Sequence, residues 1–218
     1  MKRKASTPST QAIKRIRPTP VVPRQNFFQQ GTRGRREERK NIDTTSTAMV
    51  VFNQTTANVL FIGSCIEGSS PLTHTGRHID ILSAQYRFTV HLAATTTGSS
   101  AIRFMMVYDR QPNGSQAGAT AVLVADNIHS PMQLQNSMRF VVLFDDTQQC
   151  IGTAGPQAFI MKGYKKGLHL PVEFNSSNGG NVGDIQTGAV SCYCWQDGGL
   201  LVASPVNQLY TRLRFRDA

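Results

Sequence analysis

The chain has 218 residues, with 23 Lys and Arg against 13 Asp and Glu, for a formal net charge of +10. Four cysteines are too few for a disulfide scaffold, and no run approaches the roughly 18 apolar residues of a membrane-spanning helix. No apolar stretch follows the charged first residues, so no secretory signal is expected. The reading is a reducing intracellular compartment, with the sequons at Asn53, Asn113 and Asn175 unused.

Residues 1–40 hold twelve of the Lys and Arg and two of the acids, so residues 41–218 hold eleven of each and sum to zero. Such a division suits a polyanionic partner. Residues 1–43 read as a disordered basic arm. Pro8, Pro18, Pro20 and Pro23 and the scarcity of apolar side chains leave too little burial to offset chain entropy. Residues 44–218 read as the folded domain. Within the arm, Lys2-Arg3, a ten-residue spacer that begins with Lys4, then Lys14, Arg15 and Arg17 have the spacing of a bipartite nuclear import signal. A generic solvated basic tail reads equally well. Arg24, Arg33, Arg35, Arg36, Arg39 and Lys40 are the candidate nucleic-acid contacts nearest the body. Phe27 and Phe28 either stack on unpaired bases or pack under the body.

The body reads as short β segments in chain order. Met49–Phe52 and Val59–Ile62 come first, then a Gly/Ser/Pro-rich loop from Gly63 to Gly76. Leu82–Leu92 alternates over eleven positions, with Leu82, Ala84, Tyr86, Phe88, Val90 and Leu92 on one face. Ala101–Tyr108 is nearly all apolar and ends in a Pro-Asn-Gly turn. Ala117–Met138 has no clean period and room for a short helix. Phe140–Phe144, Ala158–Tyr164, Ala189–Trp195 and Leu209–Phe215 complete the strands, with an exposed flexible loop at Asn175–Asp184. About eight strands without helical alternation predict an all-β, two-sheet antiparallel sandwich, of which the jelly roll is the eight-stranded version.

No segment carries a catalytic signature, and no cofactor or metal is expected. Cys192 and Cys194 are one residue apart and read as buried core thiols rather than zinc ligands. His74 and His78 read as surface or interface groups. Asp145-Asp146 reads as a solvated strand-end turn rather than half of a calcium site. Gly179, Gly180 and Gly183 lack the Lys-Ser/Thr of a phosphate loop. Arg212, Arg214 and Arg216 share one strand face, where like charges repel unless anions sit opposite. They read as inner-surface phosphate contacts or, preferably, as partners of acids across the sheet or in a neighbouring subunit.

Several blocks carry a resemblance: HTGRHIDILSAQYRFTVHL (His74–Leu92), AIRFMMVYDRQPNG (Ala101–Gly114), SMRFVVLFDD (Ser137–Asp146) and the ending AVSCYCWQDGGLLVASPVNQLYTRLRFRDA (Ala189–Ala218). Together they resemble the coat proteins of circular single-stranded DNA viruses, of the geminivirus and circovirus type. The likeness spans most of residues 44–218 as a pattern rather than as close identity. A basic, Pro-containing arm with import signals is usual in that family. The Cys/His cluster of some geminivirus-like coats has no counterpart here, so no zinc site carries over. The resemblance implies a single jelly roll and a closed icosahedral (T=1) shell of about 60 copies of the chain itself. It also implies a packaged circular single-stranded DNA genome, a host nuclear import carrier as partner, and residence in the virion and host nucleus. The alternative reading is a cellular or ribosomal-type nucleic-acid-binding protein with a basic extension. A lectin- or cytokine-like jelly roll fits the arm poorly.

Overall fold

The computed structural model describes residues 39–46, 56–92, 98–152, 157–175, 180–197 and 208–218. Among them are nine strands: β1 Lys40–Ser46, β2 Asn58–Phe61, β3 His78–Leu92, β4 Gly98–Asp109, β5 Phe140–Gly152, β6 Gln157–Phe174, β7 Ile185–Thr187, β8 Ala189–Asp197 and β9 Gln208–Asp217. One sheet runs β1-β9-β3-β6-β7 and the other β2-β8-β4-β5, with every pairing antiparallel. With the three-residue β7 set aside, the interleaved four-strand orders are those of a jelly roll. The predicted all-β sandwich is therefore the fold, with one short strand more than the eight expected. The predicted strand at Met49–Phe52 lies outside the described residues.

The expected boundary after residue 43 falls inside a strand, because β1 starts at Lys40. Its sequence KNIDTTS carries one large apolar residue, Ile42, so it does not announce itself. Among the described residues it is an edge strand that pairs with β9 alone, and such a strand needs little apolar pattern. The alternation in β3 also breaks earlier than expected. The register with β6 and β9 shifts between Ile81 and Ser83. The core side of β3 is Ile79 and Ile81, then Ala84, Tyr86, Phe88 and Val90, and Leu82 is only half-buried. A bulge inserts residues on one strand and reverses the phase of every side chain beyond it. Opposite, β6 loops out Gly167 and His169 with φ of 70° and 49°.

The core lies between the sheets. Tyr86 stacks on Phe104 with ring centroids 4.3 Å apart and meets Phe144 edge-on at 5.0 Å. Gly163 makes that packing possible. A methyl there would sit 2.5 Å from Tyr86 Cε1 and 2.7 Å from Phe144 Cε1. The Tyr86 hydroxyl donates to Asp146 Oδ2 at 2.5 Å, so Asp146 is a strand residue with a task rather than part of a solvated turn.

The outer face of the four-stranded sheet is buried too. The connection between β4 and β5 folds over it with a short helix α1, Ala119–Val122. Ala119, Val122, Leu123 and Ile128 pack on Met105, Val107, Phe140, Tyr193 and Trp195. Burial on both faces explains the nearly continuous apolar runs of β4 and β8, broken only by Arg103 and Ser191 between Ala101 and Tyr108 and between Ala189 and Trp195. Polar ties hold the cover. Arg103, 7% exposed, forms a two-pronged pair with Asp145 at 2.7 Å and donates to the Ile128 and Ser130 carbonyls. Trp195 Nε1 donates to Asp126 at 2.7 Å, and the Tyr193 hydroxyl donates to Ala117 O at 2.8 Å. The Asn175–Asp184 stretch is more structured than expected where it is described. Val182–Asp184 forms a 3-10 turn closed by an Asn181/Asp184 capping box.

Gly163→Ala should lower unfolding free energy by about 1–3 kcal/mol, the usual cost of overpacking a filled core. A urea titration against the wild-type chain measures it.

Candidate nucleic-acid interface

The sequence candidates divide sharply. Lys2, Arg3, Lys4, Lys14, Arg15, Arg17, Arg24, Arg33, Arg35 and Arg36, with Phe27 and Phe28, lie outside the described residues. Arg39 is exposed. Lys40 is not available as a nucleic-acid contact. It is 3% exposed, and its Nζ binds Asp217 Oδ2 at 2.8 Å and donates to Thr75 Oγ1 at 3.0 Å. An ammonium taken from water must find such partners, and β1 turns this side chain inward.

The β9 arginines lie on the outer face of the five-stranded sheet, because Leu209, Thr211, Leu213 and Phe215 fill the core beneath. Arg212 grips Asp43 of β1 with two bonds of 2.6 and 2.7 Å. The Asp43 bonds hold its guanidinium above the ordinary pKa. Arg216 binds Asp80 of β3 at 3.2 Å, and His169 Nδ1 lies 3.2 Å from the same oxygen. Two of the three arginines thus pair with acids across the sheet, the preferred expectation. Arg214 is exposed and forms no hydrogen bond or ion pair among the described residues.

Registration places further cations beside it. Arg214 and Lys166 flank Ser83; Arg212 and Tyr164 flank Gln85; Tyr210 and Lys162 flank Arg87. All point away from the core, since the alternate positions Ala84, Tyr86 and Phe88 are buried. Arg87, Lys162 and Lys166 are exposed and, like Arg214, form no hydrogen bond or ion pair among the described residues. Tyr164 is 56% exposed, and the Arg212 guanidinium lies 5.8 Å from the Tyr210 ring centre. The composition of residues 41–218 concealed this face, because a zero sum says nothing about where the charges sit. The available signal was the Lys162-x-Tyr164-x-Lys166 spacing in β6, whose period of two marks one face of a strand.

Elsewhere the side chains do structural work. Cys65, Cys150, Cys192 and Cys194 are free and buried, the last two as expected. His78 is exposed, whereas His74 is buried rather than at the surface. The His74 ring stacks on Phe174 at 3.9 Å, and its Nδ1 lies 2.6 Å from Gly76 O. Both carboxylates of the Asp145-Asp146 step are engaged within the fold, one by Arg103 and the other by Tyr86.

A scan against protein-family models matches none, and a search of curated proteins returns no match.

Lys40→Ala should leave affinity for nucleic acid unchanged but lower stability by about 1–3 kcal/mol, because Asp217 is deprived of its counter-charge in a partly buried site. Binding and urea titrations of the same preparation check both halves. Burial pushes the Cys65 and Cys150 thiols from 9.0 up to about 11. Between those values the folded chain binds more protons than the unfolded one, so stability falls as pH rises from about 9 to about 11. The Cys65→Ala/Cys150→Ala variant should show a shallower fall in urea midpoints over that window.

Proposed function

We propose that the chain is a viral coat protein that builds a closed shell from its jelly-roll domain and packages single-stranded DNA with its basic leader. The observation that carries this reading is the union of an eight-strand jelly roll with a charge of +10 confined to residues 1–40. A β-sandwich presents broad, rigid side surfaces suited to symmetric repetition, and a cationic leader neutralises phosphate without reading bases. The resemblance to geminivirus and circovirus coats supports the same assignment, with Lys2–Lys4 and Lys14–Arg17 also serving nuclear import. On this reading the chain resides in the virion and the host nucleus, and it does no chemistry.

About 60 copies carrying +10 each supply about 600 positive charges, the sequence-tolerant electrostatic term of binding. That offsets part of a genome of a few thousand nucleotides, and other cations supply the rest.

Purified protein should sediment as megadalton particles, round by negative-stain imaging. A species that stays near the 23.9 kDa of one chain in every buffer overturns the shell and favours the cellular nucleic-acid-binding alternative. Replacing Arg33, Arg35 and Arg36 with Ala should flatten the log–log salt dependence of single-strand binding by up to about 0.7 for each phosphate no longer neutralised.

A further inference from the structure

From the face built by β9, β3 and β6, we infer that the folded domain carries a second nucleic-acid site, specific for single strands with unpaired bases. The inference deepens the packaging role and rests on it for the choice of nucleic acid as ligand. Four exposed cations, Arg87, Lys162, Lys166 and Arg214, converge there with two tyrosines, Tyr164 and Tyr210.

Electrostatics argues first. Arg87 and Lys162 are direct cross-strand partners, and like charges so placed destabilise a sheet. Arg214 and Lys166 stand on either side of Ser83, again with no carboxylate between them. Nothing in the domain's own folding calls for this arrangement, and an anion laid across the face relieves it. Asp43 and Asp80 neutralise only Arg212 and Arg216 on neighbouring positions.

The anion comes from neither this chain's leader nor a second copy. The leader is itself cationic. Of the eleven carboxylates among the described residues, nine already serve internal partners: Asp43, Asp80, Asp109, Asp126, Asp145, Asp146, Asp184, Asp197 and Asp217. Five of the nine, Asp43, Asp80, Asp109, Asp145 and Asp217, are matched by an Arg or Lys of the same chain, so a second copy has far fewer unmatched carboxylates to offer than a nucleic acid has phosphates.

The tyrosines select among polyanions. Tyr164 lies among the cations with more than half its surface in water, so its ring face is open to a flat partner while its hydroxyl stays wet. Bases stack on such rings whatever their sequence, provided they are unpaired. Successive outward positions on one strand are about 6.6–6.8 Å apart. Phosphate contacts on Lys162 and Lys166 therefore flank a stacked base on Tyr164 along a single path. The face recognises phosphate and base planes without reading the sugar, so it takes single-stranded DNA and RNA alike.

The test uses the full-length chain, with oligo(dT), oligo(U) and a duplex of equal length followed by fluorescence anisotropy across a salt series. The altered side chains are exposed, and unchanged thermal melts confirm folding. Arg87→Ala/Lys162→Ala should flatten the single-strand salt slope by about 1.4. Tyr164→Ala should weaken both single strands about tenfold, spare the duplex, and be restored by Tyr164→Phe. Ultraviolet crosslinks should map to Tyr164 or Tyr210. Wild-type slope and affinity in these variants would overturn the inference, as would equal weakening on the duplex or competition by poly-Glu as strong as that of oligo(dT). If Arg33→Ala/Arg35→Ala/Arg36→Ala weakens binding while the sheet variants do not, the packaging role stands and the sheet site falls. If neither set changes binding, both fall.

Discussion

A sheet has two faces, and this sandwich has only one interior to share between two sheets. The four-stranded sheet resolves its second face by burying it under the connection that carries α1, tied down through Arg103, Tyr193 and Trp195. The five-stranded sheet has no such cover among the described residues. Its second face must be polar enough to meet water, and the period of two in β3, β6 and β9 supplies that polarity without disturbing the core. Among the described residues, one outer sheet face is therefore covered and the other faces solvent.

The bare face stays where it is because the core beneath it is stiff. Tyr86, Phe104 and Phe144 interlock across the sandwich, and Gly163 gives up its side chain to admit them. Close-packed interiors transmit a fixed register to their surfaces. The outward row of Arg87, Lys162 and Tyr210 is therefore a consequence of the inward row of Tyr86 and Phe88. The bulge at Ile81/Ser83 ends that regularity. Beyond it, Asp80 is met by both His169 and Arg216 in one compact group.

Electrostatic balance operates unevenly. Residues 41–218 sum to zero, yet their acids are drawn into internal bonds with Arg103, Arg139, Arg212 and hydroxyl or amide donors. Four cations that no acid pairs among the described residues, Arg87, Lys162, Lys166 and Arg214, gather on one sheet. A neutral domain can thus present a field of one sign, and a ligand responds to that local field rather than to the total.

Sequence alone determined the β architecture and the position of most strands, because alternation and turn residues are local properties of the chain. It also determined the charge division at residue 40. It could not decide what each basic residue does. Lys162, Lys165 and Lys166 look alike in sequence. In the sheet, Lys162 and Lys166 project outward, whereas Lys165 shares the inward parity of Ala84 and reaches the Leu143 carbonyl at 3.5 Å. Lys40 reads as part of the leader, yet it closes a partly buried pair with Asp217, 177 positions away in the numbering. Arg212 and Arg214 are two residues apart, and only the register with β1 gives Asp43 to the first and leaves the second without an acid among the described residues. Pairing across strands depends on which distant segments meet, and that is settled by packing the whole sandwich.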